Sequence, residues 1–289
     1  MRRNAWLRLG WLVVGIVLFA CAHPAQAVIV GPYTPNANTV HLLHLNEAQG
    51  TTSLPDAVSG AGTWNANPNG QNGLGQAGYT GSSGFETSLQ IGEPRGFRLT
   101  QPGAQILGST NGSWTIETLM NFNNTNAGET IRGGTGGTEL RLYLLGNSSF
   151  QVQIPNGNTT GFTANLGFNI QNNTWYHVGL VYDSTITSAN NTFLYMTEMN
   201  PATTEAVLRS SLNIQPGVGF TSYSDTMNYI DLGIQSAGNA NVLLDEFRIS
   251  NVALGAGQMM FAPEPSTFAL GGGLAACGLV AAGIRRRRR

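Results

Sequence analysis

The chain has 289 residues, with 14 basic and 15 acidic side chains, a formal net charge of −1, and no lysine. Eight arginines sit in the end segments (Arg2, Arg3, Arg8 and Arg285–Arg289), so residues 28–262 hold six arginines against fourteen carboxylates, a net charge of −8. A domain this acidic repels a phosphate backbone, which excludes nucleic acid as the expected partner. Both cysteines, Cys21 and Cys277, lie in the end segments, so the middle has no disulfide and rests on its apolar core.

In chain order, the first element is a leader. Arg2, Arg3 and Arg8 flank and precede an apolar run from Leu9 to Ala20, and Ala25-Gln26-Ala27 offers small residues for cleavage. This pattern predicts a secretory signal peptide over 1–27, removed after Ala27. Leu18-Phe19-Ala20-Cys21 is a looser alternative as a lipidation box, but Phe19 is bulky for it.

The middle, 28–262, reads as short strands separated by turns. Trp114, Ile116, Thr118, Met120 and Phe122 alternate with Thr115, Glu117 and Asn121. Leu140, Leu142 and Leu144 alternate with Glu139, Arg141 and Tyr143; Phe150, Val152 and Ile154 alternate with Gln151 and Gln153. Trp175–Tyr182 is apolar or aromatic on both faces, as a central strand covered on each side would be. Clusters rich in Gly, Asn, Pro and Ser between these runs supply turns. The expected fold class is all-β: two packed antiparallel sheets, with Trp114, Ile116, Val178, Leu180 and Phe247 buried.

Several segments then carry a family resemblance. Gly112-Ser113-Trp114-Thr115-Ile116-Glu117, the run Asn173 to Asp183, Phe193-Leu194-Tyr195, and Leu244-Asp245-Glu246-Phe247-Arg248-Ile249-Ser250 resemble successive strands of laminin-G-like domains. His41 to Glu47, with Asp56 after it, resembles their opening strand and loop. The resemblance implies a concanavalin A-like jelly roll, a fold that hosts both lectins and glucanases. After Tyr195 the sequence departs from the family's usual Asp-Gly turn, so a different hairpin is expected there.

Glycosidases on this fold need two carboxylates at a set separation. No E-x-D-x-x-E spacing occurs; Asp245 and Glu246 are adjacent and should face opposite ways on a strand. His177 is expected to pack in the core with a hydrogen bond to a neighbouring strand. His41 and His44 do not share a face, and no zinc motif or nucleophile elbow is present. Catalytic residues are therefore expected to be none. From the resemblance, Glu47, Asp56 and Asp245 are candidate ligands for a structural calcium, against simple roles in turn capping and strand-end bonding. Trp64, Tyr79, Tyr223 and Tyr229 lie in polar, glycine- and asparagine-rich segments and are candidate sugar-stacking aromatics.

The tail, 263–289, has three parts: Pro263-Glu264-Pro265, an uncharged stretch Phe268–Ile284, and five arginines. The stretch reaches about 26 Å as a helix, enough to enter or span a bilayer. The arginines hold its end on the cytoplasmic side. The tail resembles the PEP-CTERM sorting signal of Gram-negative bacteria. That resemblance implies a transient membrane anchor at 268–284, recognition by an exosortase-type membrane protease, and release to the cell surface or extracellular matrix. A permanent anchor is the plainer alternative.

The reading is an exported, non-catalytic laminin-G-like binding domain whose partner is extracellular polysaccharide or a surface protein. A polysaccharide-active glycosidase or lyase on the same fold is the rival, and a passive matrix protein the third possibility.

Overall fold

The computed structural model describes residues 32–66, 73–81, 85–92, 95–101, 106–107, 112–135, 138–154, 160–187, 189–200, 206–212, 228–233 and 241–259. The leader with Ala27, the tail with Pro263, Glu264 and Pro265, and Tyr223 lie outside them.

The described strands are β1 (Thr39–Leu43), β2 (Ser53–Pro55), β3 (Thr63–Ala66), β4 (Gln76–Ala77), β5 (Thr87–Ile91), β6 (Phe97–Thr100), β7 (Trp114–Phe122) and β8 (Gly128–Thr135) in the first half. There follow β9 (Thr138–Gly146), β10 (Ser149–Ile154), β11 (Thr160–Asn165), β12 (Trp175–Tyr182), β13 (Thr192–Glu198), β14 (Leu208–Leu212), β15 (Tyr229–Leu232) and β16 (Val242–Ser250). Sheet I runs β14-β13-β12-β7-β16-β5-β4, with β1 also paired to β16; sheet II runs β11-β10-β9-β8-β15-β6-β3-β2. The pairings are antiparallel, for instance Leu180↔Ile116 in sheet I and Val152↔Leu142 in sheet II.

Burial patterns separate the two sheets. In β10 buried Phe150, Val152 and Ile154 alternate with half-buried partners, so one face meets the core and the other meets solvent. All nine residues of β7 are buried, so sheet I is covered on both faces. Between the sheets lies one apolar core that includes Trp64, Trp114, Phe122, Phe150, Tyr176 and Phe247. Ile116, Val178 and Leu180 join it, as the alternating runs lead one to expect.

A second apolar layer closes the outer face of sheet I. Leu119 and Val181 of that face pack with Tyr79 and Phe85 from the β4–β5 connection, and with Met259, which follows the 3-10 turn Ala256–Gln258. Gly179 of β12 makes room for this plug: a Cβ there would lie 2.9 Å from the Met259 sulfur. The N-terminal segment reaches the same face through Tyr33. Both ends of the described domain therefore converge on one side of the sandwich.

Candidate functional site

Beneath that cover sits a polar centre built on three adjacent strands. Glu117 of β7 is fully buried and bonded by Arg248 of β16 (Nε at 2.7 Å), by His177 Nε2 of β12 (3.0 Å), and by the Tyr33 hydroxyl (2.8 Å). The Arg248 guanidinium also lies 3.9 Å from the Tyr33 ring centre. Register explains the meeting, because Glu117 pairs directly with Arg248 on one side and Gly179 on the other. Burial alone would raise the Glu117 carboxyl, but the Arg248 charge, the His177 hydrogen bond and the Tyr33 hydroxyl outweigh it and leave it at about 2. Glu117 is thus held as an anion near neutral pH in a buried ion pair. His177 has the packing role with a cross-strand hydrogen bond that its strand position suggests.

Next to this centre β16 breaks step. Its pairing with β7 shifts register between Asp245 and Arg248, and Glu246 takes φ +50. The bulge corrects the expectation that Asp245 and Glu246 face opposite ways, since an extra residue suspends the alternation. Both now lie under the outer cover: Glu246 binds His44 Nδ1 (2.8 Å) and accepts the Tyr33 N–H (3.1 Å), while Asp245 accepts the Tyr79 N–H (3.3 Å). The other Asp245 oxygen is buried without a hydrogen bond. Burial, the largest cause, pushes its carboxyl up to about 8.

The three candidate calcium ligands do not form one group. Asp56 is fully engaged elsewhere. One oxygen accepts the Leu42 and Val58 N–H groups at 3.0 Å each; the other meets His41 Nδ1 at 2.6 Å and Trp64 Nε1 at 3.3 Å. It fastens the opening loop to β1 and β3. Glu47 is half-buried near His44, with one oxygen unbonded, its carboxyl raised by burial. Among the described residues no three His, Cys, Asp or Glu side chains group as a metal site. The Asp56 contacts hold that carboxylate against His41, Trp64 and the opening loop.

The candidate aromatics also divide. Trp64 is fully buried, edge-on to Phe247 and His41, so it belongs to the core and not the surface. Tyr79 is buried in the outer layer against Phe85 and Trp175. In both cases an apolar neighbour overrides the polar local sequence. Tyr229 remains half-exposed on sheet II, with Arg98 stacked 4.2 Å above its ring.

The outer face of sheet II carries a polar row overlooked in the candidate set, from exposed Asn65 through half-buried Arg98, Arg132, Arg141 and Gln153 to fully buried Asp231. Direct partners link Gln153, Arg141, Arg132, Asp231, Arg98 and Asn65 into one transverse row from β10 to β3. Arg98 clamps Asp231 at 2.6 and 2.7 Å, Arg141 pairs with Glu129, and Arg141 stacks 4.7 Å from the Tyr143 ring centre. The alternation Glu139, Arg141, Tyr143 was the available signal; only the register shows that it continues across neighbouring strands.

Residues 98–196 match the laminin-G family model described as the concanavalin A-like lectin/glucanases superfamily. No curated protein matches the chain. Among solved structures, the binding domain of botulinum neurotoxin DC in complex with rat synaptotagmin II is similar over 77% of this chain and 50% of its own, at 15% identity and a TM-score of 0.52. The botulinum neurotoxin serotype D binding domain is similar over the same shares, at 11% identity and a TM-score of 0.51. The chain thus spans about half the length of these neighbours, and at such identity the likeness concerns the fold. The two antiparallel sheets, the family match at 98–196 and the shared backbone together identify the fold as a laminin-G-like, concanavalin A-like jelly roll.

Proposed function

We propose that the protein is an exported surface or matrix binding protein whose jelly roll recognises a polymer or protein outside the cell and performs no chemistry on it. The observation that carries this reading is the contrast between the faces. Sheet I's carboxylates Glu117 and Glu246 share Tyr33 under an apolar cover, out of reach of a substrate, whereas among the described residues the outer face of sheet II presents half-buried hydrogen-bonding groups such as Arg98, Arg141 and Gln153 and exposed Asn65. A glycosidase needs an accessible acid and a partner carboxylate; Glu117, held at about 2, cannot serve as the acid near neutrality. Neurotoxin domains of like fold are described as binding domains, one of them with synaptotagmin bound, which agrees with recognition as the work of such a sandwich.

Delivery rests on the ends. The leader at 1–27 exports the chain, and the tail at 263–289 holds it in the inner membrane through 268–284 until an exosortase-type protease acts at Pro263-Glu264-Pro265. Gly271-Gly272-Gly273 weakens that helix by up to about 1 kcal/mol per glycine, which suits a temporary anchor. Mass spectrometry of surface-released protein tests the route. Peptides ending in the intact arginine run would show a permanent anchor instead, and Glu264→Ala should leave the tail attached. Glycan-array binding tests recognition: the absence of any bound glycan would point to a protein partner or to a passive matrix role.

A further inference from the structure

We propose that the outer face of sheet I, at its β13–β14 end, is a docking surface for the lipid bilayer, on which the folded domain rests while the tail is attached. The inference rests on the membrane anchor proposed above at 268–284 and adds the surface by which the domain itself meets the lipid.

Register builds the patch. Three large apolar residues among those described are exposed: Leu145 on sheet II, and Val207 (38%) and Leu208 (47%) where the chain enters β14. The pairing of β14 with β13 shifts there, so Arg209 is the extra residue and Leu208 falls opposite Tyr195. Phe193 shares the face of Tyr195 two residues away. Both are half-buried and pack on the outer apolar layer, as do half-buried Trp175 and Leu254. Val207 is fixed beside them: its N–H donates to Thr197 Oγ1 at 2.6 Å, and its carbonyl accepts the Met196 N–H at 3.0 Å. Apolar side chains scattered singly are ordinary on a surface, whereas a contiguous group marks a contact.

Charge is kept off this patch. Arg209 donates to the Met196 carbonyl at 2.7 Å and stacks 4.6 Å from the ring centre of Phe168, which packs on the core between the sheets. The one carboxylate of the two strands, Glu198, stands at the far end of β13.

Chain length chooses the occupant. The Ala206 N–H donates to the Ala256 carbonyl at 3.4 Å, and Met259 closes over Gly179, the register partner of Tyr195. The chain thus leaves the described domain beside the patch. Residues 260–267 alone separate Met259 from the apolar stretch that begins at Phe268. Fully extended, that link spans at most about 30 Å, so the tail keeps this face close to the bilayer and makes the contact intramolecular. Aliphatic side chains bordered by Tyr and Trp rings suit the interfacial zone of a membrane. The net −8 of the domain opposes an anionic surface, so apolar contact carries the docking. The polar row of sheet II then lies on the side away from the lipid.

The test uses the full chain inserted by its tail into dioleoylphosphatidylcholine vesicles. Cys21→Ala and Cys277→Ala leave one introduced cysteine to carry an NBD fluorophore, at the patch in Leu208→Cys or on sheet II in Leu145→Cys. Both positions are exposed, so the fold tolerates the label. Brominated phosphatidylcholine is the quencher, and flotation reports the anchor separately. We expect both chains to float, with quenching about fivefold greater at Leu208→Cys than at Leu145→Cys, unchanged by added salt and reduced about threefold by Val207→Asp. Floating chains quenched equally at the two sites would overturn the docking surface and spare the anchor. Chains that do not float would remove the anchor and this inference with it. A label at Leu208→Cys whose emission shifts to the blue with protein density, yet is not quenched, would overturn the lipid in favour of a second copy. Quenching seen only when phosphatidylglycerol replaces part of the phosphatidylcholine would overturn the apolar account.

Discussion

Asp245→Asn is the most informative single perturbation. Asp245 is fully buried beside Glu246, and burial raises its carboxyl from 3.8 to about 8. At pH 7 the folded chain therefore keeps a proton that the unfolded chain has lost. The folded state binds more protons, so this group's contribution makes stability fall as pH rises from about 4 to about 8. At about 1.4 kcal/mol per unit, the cost at pH 7 relative to pH below 4 is about 4 kcal/mol. Asparagine keeps the shape and still accepts from the Tyr79 N–H, but needs no proton. We expect the variant to match the wild type near pH 4 and to exceed it by about 2–4 kcal/mol at pH 7, the lower figure allowing for one amide N–H without an acceptor. Urea unfolding followed by tryptophan fluorescence from pH 4.5 to 8.5 measures the difference, and contributions from other groups cancel in it. A variant weaker than the wild type by the same amount at every pH would refute the reasoning, because the charged carboxylate would then be what the fold requires.

Other outcomes follow from the same geometry. Arg248→Met leaves Glu117 charged and buried without its main partner and should cost about 3–5 kcal/mol in urea unfolding; adding Glu117→Leu should recover much of it, and a double mutant no better than the single would contradict the pairing. Glu117, lowered from 4.5 to about 2, stabilises the fold by about 3 kcal/mol above pH 4.5, and this is lost as pH falls towards 2; Glu117→Gln should flatten that acid limb. Met259→Ala empties the plug over Gly179 and should cost about 2–5 kcal/mol by thermal or urea melting, whereas a neutral result would mean that the plug does not close sheet I. Millimolar calcium should leave the melting temperature unchanged, since Glu47, Asp56 and Asp245 do not group; a rise that vanishes in Asp245→Asn would restore a metal at the bulge.

Much of the sandwich was legible from side-chain periodicity. The alternation in β10 marks a strand with one wet face, and the doubly apolar run of β12 marks a strand covered on both. The site was harder to read. The polar surroundings of Trp64 and Tyr79 suggested exposure, yet Trp64 fills the core between β3 and β16, and Tyr79 folds back onto Trp175. Adjacent positions implied opposite faces for Asp245 and Glu246 until a one-residue bulge turned both to the same side.

What the sequence determines by itself is therefore local: the period of each strand, the turn chemistry, the charge imbalance between the domain and its ends, and the leader and tail expected there. These depend on neighbours along the chain. The tertiary structure decided which polar residues meet. Glu117 reaches Arg248 across 131 positions and Tyr33 across 84, and the row on sheet II draws its members from six strands. Register sets such meetings, and register is fixed by which faces of distant strands bury together. No local pattern in a chain encodes that choice, because it is made only when the two sheets close over a common core.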